Sequence, residues 1–293
     1  MIDGNQEILV GDRFAFGSNW RAFVALVDED RIKAAIASLS GPLETTDLTG
    51  RTFLDAGCGS GLFSLAAHRM GASVRSFDYD SESVAATLEL RERFGGHGEW
   101  AVTQGSILDE EIVAELGRFD IVYSWGVLHH TGDLWHATEN AARLVAPGGL
   151  LYISIYNDQG LESRMWRRVK HRYNKSGTLA RRLLVLGSAA YLHRRRPLAS
   201  LIGLVRGTGP VLSRPPRARG MSAKHDLVDW VGGYPFEVAK PEEVFAFMRE
   251  RGFELRHLKT CAGGIGCNEY VLERVAGPRV SGGPHGSGGP AER

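Results

Sequence analysis

Between Arg51 and Tyr156 the hydrophobic period of the chain switches back and forth, and no other feature restricts its fold as strongly. Short runs rich in β-branched and aromatic residues alternate with stretches of helical spacing. In order they are strand TFLDA, helix LFSLAAHRMG, strand SVRSFD, helix SESVAATLELRERF, strand EWAVTQG, helix DEEIVAEL, strand FDIVYSWGV, helix DLWHATENAARLV and strand LLYISIY. The strands run as β-branched and aromatic stretches, which points to a sheet covered on both faces. The alternation makes that sheet parallel, with right-handed crossovers. The expected class is α/β, a doubly wound sheet.

The flanks read differently. From Asn19 to Leu39 the residues Trp20, Phe23, Val24, Val27, Ile32, Ala35 and Ile36 recur at helical spacing, with the acidic DED separating two helices, and GPLETTDLTG follows as a turn-rich link. After Tyr156 cations gather from Arg164 to Lys224 against almost no acids, so the net charge of +1, from 35 Lys+Arg and 34 Asp+Glu, hides a basic insert. Then KPEEVFAFMRERG reads as a helix, and FELRHLKT and NEYVLER as strands joined by the glycine-rich CAGGIG, an antiparallel hairpin that ends the sheet. GPRVSGGPHGSGGPAER has little to bury and is expected to be disordered. The expected organisation is a helical cap over 1–49, a core over 50–156, a basic helical insert covering the substrate over 157–240, a C-terminal helix and strands over 241–275, and a tail over 276–293.

Composition excludes several classes. The near-neutral charge argues against a globally basic nucleic-acid binder, and no aromatic-basic motif supports one. Cys58, Cys261 and Cys267 have no CxxC spacing and are odd in number, which fits a reducing cytosol rather than a zinc site or a disulfide framework. No stretch approaches the roughly 18 apolar residues of a membrane span, so a soluble protein is expected.

The segment FLDAGCGSGLFS carries the chemistry. An acid ends a buried strand, Gly57, Gly59 and Gly61 alternate, and a helix follows at once, which brings bare backbone against a ligand. The dinucleotide fingerprint G-x-G-x-x-G/A fails because Leu62 occupies its last position, and no Gly-Lys-Ser/Thr follows for a phosphate loop.

D-x-G-x-G-x-G after the first strand resembles motif I of the class I S-adenosylmethionine-dependent methyltransferases, whose Rossmann-like fold this alternation matches. The resemblance covers residues 50–156 firmly and the C-terminal strands loosely. It implies S-adenosyl-L-methionine as cofactor. That molecule carries an ammonium, a sulfonium and two ribose hydroxyls, so its site wants carboxylates as well as glycines. Asp55, beside Gly57, Cys58, Gly59 and Gly61, is placed to neutralise the ammonium, directly or through backbone and water. Asp78, ending the second strand, is placed to accept both ribose hydroxyls, with Asp80 as the alternative and a cap on the helix starting at Ser81 as the favoured reading of Asp80. Where family members often carry Gly-Asp for the adenine, this chain has Gly105-Ser106, a departure that passes the role to Ser106 and the backbone of Ile107. Tyr79 and Ile107 are candidates to sandwich the ring, core packing being the alternative.

The fourth strand ends in SWGVLHHTGD, which brings Ser124 and Trp125 toward the methionine part of the cofactor. His129 and His130 admit three roles: metal ligand, base, or turn histidine bonded to backbone. Adjacent side chains diverge and the only further candidate ligand is His136, so no metal is expected. The stretch resembles W-x-x-H-x-W-x-D of small-molecule O-methyltransferases, with spacing and flanks displaced by about a position. That resemblance implies a general base at His129, with His130 as second candidate.

Candidates to recognise the acceptor are Trp20, Tyr156, Asn157, Asp158, Trp230 and Tyr234, all in loop-rich, aromatic or strand-end contexts. For the basic insert three readings stand: a lid over an anionic substrate, a surface for peripheral contact with anionic lipid, and solvated helices. The expected function is methyl transfer to an oxygen, or else a nitrogen or carbon, of a small metabolite, an anionic one included. Methylation of a lipid, glycan or macromolecule and a non-catalytic cofactor-binding role are the alternatives. Oligomeric state is left open.

Overall fold

A computed structural model describes residues 13–14, 16–193, 228 and 230–275. The expectation of disorder over 276–293 and the part of the basic insert from 194 to 227 lie outside the described residues.

Two helices come first, α1 (Phe16–Val24) and α2 (Glu29–Leu43). The alternating core follows: β1 (Thr52–Ala56), α3 (Leu62–Arg69), β2 (Ser73–Asp78), α4 (Ser81–Phe94), β3 (Trp100–Gln104), α5 (Glu110–Leu116), β4 (Phe119–Trp125), α6 (Leu134–Arg143) and β5 (Val145–Tyr156). Then come α7 (Leu161–Asn174), α8 (Thr178–His193), α9 (Pro241–Glu250), β6 (Phe253–Lys259) and β7 (Cys267–Arg274). The seven described strands form one sheet in the order β3-β2-β1-β4-β5-β7-β6. Pairing is parallel from β3 to β5, and β7 runs antiparallel to both β5 and β6. The expected C-terminal hairpin is therefore present, with β7 inserted between β5 and β6.

Side-chain alternation along the strands sorts the core into two layers. Phe53, Val74, Ile121, Tyr123 and Tyr152 pack against Phe23, Ile32, Leu39, Leu65 and Leu90 of α1 to α4. Leu54, Phe77, Val122, Leu151 and Ile153 pack against Val113, Ala137, Ala141, Val244 and Met248 of α5, α6 and α9. Four helices start on an aspartate whose carboxylate accepts a first-turn amide: Asp28, Asp80, Asp109 and Asp133. Each such cap contributes about 1 kcal/mol. Asp80 also accepts the amide of Gly17 at 2.8 Å, which ties the start of α1 to the start of α4.

Two boundaries depart from the sequence reading. The link GPLETTDLTG was expected to be a turn, but α2 runs through Gly41 and Pro42 to Leu43 and ends on Glu44 at φ 53°. Pro42 forfeits one ladder hydrogen bond, and burial of Leu39 and Leu43 in the core offsets it. The fifth strand begins at Val145 rather than Leu150, because Val145 pairs with Phe119 and a register shift before Ile121 absorbs the intervening Ala-Pro-Gly-Gly. Among the described residues no helix is long and apolar enough to cross a membrane.

Candidate active site

The strand order reverses at β1, which has β2 on one side and β4 on the other. Open α/β sheets bind ligands outside the carboxyl ends of their strands at such a point. A cavity of about 570 Å³ lies there. The glycine turn makes it. Gly57 has φ +86°, and a Cβ on it would lie 2.4 Å from Cγ1 of Val127; Gly59 has φ +56°, and a Cβ would lie 3.0 Å from the Trp20 indole. Only glycine permits both the backbone conformation and these approaches. Gly57, Cys58 and Gly59 line the cavity, whereas Gly61 opens α3 and does not.

Two carboxylates face this turn. Asp55 is 2% exposed, and its Oδ2 accepts from Ser64 Oγ at 2.5 Å. Ser64 in turn accepts from Ser76, and Ser76 from the Trp100 indole, at 2.8 and 2.9 Å. Burial pushes the Asp55 carboxyl up to about 7, with the Ser64 bond opposing and the nearby Asp78 charge adding to the rise. Asp78 accepts the Gly59 amide on Oδ2 and the Asp80 amide on Oδ1, each at 2.9 Å. Desolvation pushes it to about 6 against those two amides. Each Asp78 oxygen keeps a lone pair for a further donor. Two acids held this far above their ordinary range, without a fully compensating cation, form a site suited to a positively charged ligand. Tyr79, Ser106 and Ile107 continue the lining toward β3. The Ser106 hydroxyl accepts the Leu108 amide at 3.1 Å and retains its proton to donate, and Asn140 holds the Ile107 carbonyl at 2.9 Å.

Beyond β4 the lining changes character. Trp125 lines the cavity; Ser124 does not, because the next residue along a strand faces the other way, and its hydroxyl donates instead to Ala56 O at 2.8 Å. A short 3₁₀ turn, Leu128–His130, carries both histidines. His130 lines the cavity; His129 is fully buried beside Tyr156, ring centroids 4.0 Å apart, and is not among the lining residues. His130 Nδ1 lies 2.6 Å from the carbonyl oxygen of Pro235, which only accepts, so Nδ1 carries the proton and Nε2 is left as an acceptor. Burial, then the charges of Lys170 and Arg13, hold the His130 imidazole down at about 3, with the Pro235 bond opposing. His129 is depressed further, chiefly by burial. Among the described residues no group of three or more His, Cys, Asp or Glu is placed to hold a metal ion, and His136 pairs with Glu110 at 2.7 Å.

Of the acceptor candidates, Trp20, Tyr156 and Trp230 line the cavity, joined by Phe14, Phe16 and Leu192. Asn157, Asp158 and Tyr234 do not. Asn157 accepts from Asn268 at 3.1 Å, Asp158 accepts the Gly160 amide at 2.8 Å, and Tyr234 packs on His171. Sequence reasoning missed Arg13, whose guanidinium lies over the Tyr79 ring at 4.7 Å and donates to the carbonyls of His130 and Thr131 at 2.8 and 3.2 Å. No local pattern marks it. Val127, set against Gly57, was also missed.

Comparison with known proteins gives this architecture a family. A family model described as a methyltransferase domain matches residues 27–183, just over half of the chain. The chain belongs to that methyltransferase family. Its methyl donor is S-adenosylmethionine, and the paired acids and bare glycine turn fit a molecule with that ammonium, sulfonium and diol. The curated relatives include a ubiquinone biosynthesis O-methyltransferase of Pseudomonas paraeruginosa, 36% identical over 115 residues, which are 39% of this chain and 48% of that protein. Another, of Rhizobium rhizogenes, is 35% identical over 118 residues, 40% of this chain and 45% of that one. The chain thus spans about half the length of the curated relatives it matches. A solved magnesium protoporphyrin IX methyltransferase from Synechocystis superposes with TM-score 0.47 at 15% identity, covering 83% of this chain and 81% of that one.

Proposed function

We propose that this methyltransferase moves the methyl group of S-adenosylmethionine to a hydroxyl of a small, largely apolar aromatic acceptor. The observation that carries the reading is one cavity lined by three acids, Asp55, Asp78 and Asp80, toward β1 and β2 and by His130 within an aromatic wall toward β5. The relatives at 36% and 35% identity are O-methyltransferases by name, which supports oxygen over nitrogen or carbon.

Asp55 takes the ammonium, directly or through water, and Asp78 the ribose hydroxyls through its remaining lone pairs. Ser106 and the backbone of Ile107 meet the adenine, with Tyr79 along one face and Arg13 stacked behind it. Cys58, Gly57 and Gly59 supply close backbone. When bound, S-adenosylmethionine supplies an electrophilic methyl on a sulfonium, near which Trp125 stands. His130, rather than His129, takes the base role, because its ring reaches the cavity with Nε2 unprotonated. Alignment by Trp20, Tyr156 and Trp230 contributes to the rate through orientation. Among the described residues Arg13 is the one Arg or Lys of the cavity lining, and its guanidinium already donates to two carbonyls, so the described wall suits an apolar acceptor better than an anionic one. The odd number of cysteines in the chain and their lack of CxxC spacing support a reducing cytosol as its location.

Incubation of the purified chain with methyl-labelled donor and a panel of phenols and catechols tests this. Label recovered in an aryl methyl ether supports the reading; label recovered only in amines or carbon acceptors contradicts it. A second reading, an acceptor presented by a membrane, has one observation behind it. Leu179, Leu183 and Leu186 are exposed on one face of α8, the helix whose Leu192 lines the cavity, next to the exposed cations of α7. Sedimentation with anionic vesicles that is lost at high salt supports that reading, and no sedimentation at low salt removes it.

A further inference from the structure

Lys170 has no solvent exposure, although its neighbours on α7, Arg164, Arg167, Arg168 and Arg172, are exposed. An ammonium is kept at that depth only when it is held by acceptors and charge-stabilising groups. Its Nζ donates to the main-chain carbonyl of Trp230. It also lies over three rings, 4.4 Å from the centroid of Trp230, 4.7 Å from Phe236 and 5.6 Å from Tyr156. One turn later Asn174 donates to the Gly232 carbonyl at 2.7 Å, so α7 grips the 230–232 stretch twice. Two of the three caged rings, Tyr156 and Trp230, line the cavity, while Lys170 itself does not. The Tyr156 ring also touches the two imidazoles, with centroids 4.0 Å from His129 and 5.5 Å from His130. One aromatic ring thus separates the ammonium from the histidine turn.

Resting on the reading of this cavity as the site of methyl transfer, we propose that Lys170 is a positioning residue for the acceptor. It fixes the Tyr156 and Trp230 rings as the acceptor wall and places a buried ammonium one ring behind the His130 imidazole.

The surroundings of His130 make this charge count. Arg13 reaches it from the N-terminal stretch, His129 shares its turn, and Lys170 faces it from α7 behind Tyr156. Glu237 is the nearby acid of the 230–239 stretch, and its carboxylate is committed to the amides of Gly132 and Leu134 at 3.0 and 3.2 Å. Asp133 spends its side chain on the His136 amide at 3.2 Å. Two cations therefore act on an imidazole whose neighbouring acids are engaged elsewhere. The Lys170 charge is the second cause of the depression of His130, after burial.

The test compares Lys170→Met, Lys170→Gln and Lys170→Arg in the full chain. His130 is followed by NMR of isotope-labelled histidine in ligand-free protein, its signals assigned by their loss in His130→Asn. In the Met and Gln variants the proton affinity of His130 should rise about tenfold or more, one pH unit in its midpoint, and in the Arg variant it should stay near wild type. With the best phenol of the panel, KM for the acceptor should rise about tenfold in all three variants, while the Kd for S-adenosylhomocysteine stays within about twofold of wild type. A chain that methylates no phenol refutes the acceptor reading, and the NMR titration still decides the role of the lysine. An unchanged His130 midpoint in both neutral variants overturns the inference. So does failure of both to fold, which would make Lys170 a purely structural cation.

Discussion

Replacing Asp55 by Asn should stabilise the ligand-free protein, and by more at pH 8 than at pH 5. The Asp55 carboxyl is 2% exposed and titrates near 7 instead of 3.8. A folded value above the unfolded one means that the folded state binds the proton more tightly, so this group costs stability as pH rises from about 4 to about 7, and the cost is constant above. Three units at 1.36 kcal/mol each give about 4 kcal/mol as an upper bound, a large part of the stability of an ordinary domain. The wild-type slope alone does not isolate this effect. His129 and His130 are depressed below 6.5, and their contribution is lost as pH falls below 6.5, opposite in sign. The difference between Asp55→Asn and wild type removes the histidines from the comparison. Asn keeps the shape and still accepts from Ser64. Urea denaturation followed by far-UV circular dichroism at pH 5, 6, 7 and 8 should therefore show a gap that widens by about 1.4 kcal/mol per unit up to pH 7 and then levels off. A gap independent of pH, or a wild type that gains on the variant at pH 8, refutes the assignment of a strained, proton-hungry acid to this position. The same variant should bind cofactor more weakly, so the wild-type acid sacrifices stability for a ligand-binding charge.

Gly57→Ala places a methyl 2.4 Å from Val127 at φ +86°. It should cost about 1–3 kcal/mol from overpacking and about 1–2 kcal/mol from the left-handed backbone, read as a lowered urea midpoint, with cofactor binding lost in calorimetry. His130→Asn should cut kcat by about 10²-fold, the lower end of the general-base range because an imidazole held at about 3 is a weak proton acceptor, with the Kd for S-adenosylhomocysteine preserved, a split that steady-state kinetics and calorimetry read separately.

The glycine turn and its two acids were legible because they are local: a strand, a turn and a helix start within twelve residues announce both Asp55 and the backbone that faces it. Asp78 followed from the same rhythm one strand later. Reading failed where side-chain direction matters. Ser124 and Trp125 were both assigned to the cavity, though consecutive strand residues face opposite sides; Tyr156 reaches the wall, while Asn157 and Asp158 spend their side chains on the loop that leaves it. His129 and His130 form the same kind of pair, and only the turn geometry tells which ring meets the cavity. Arg13 and Val127 act through contacts distant in sequence, so no local pattern announces them. Lys170 was visible only as one cation among many. Its spacing from Trp166 and Tyr173, four and three residues away on the buried side of α7, was the available signal.

The most direct test is calorimetry of the full chain with S-adenosylhomocysteine at pH 6, in buffers of different ionisation heat, for wild type and Asp78→Ala. On the proposed reading, ionised Asp55 and Asp78 hold the ligand's ammonium and diol, so one molecule should bind per chain with release of protons, and the substitution should weaken binding at least tenfold. Saturable binding with no proton release and no loss in Asp78→Ala, or no binding by wild type, would contradict the account.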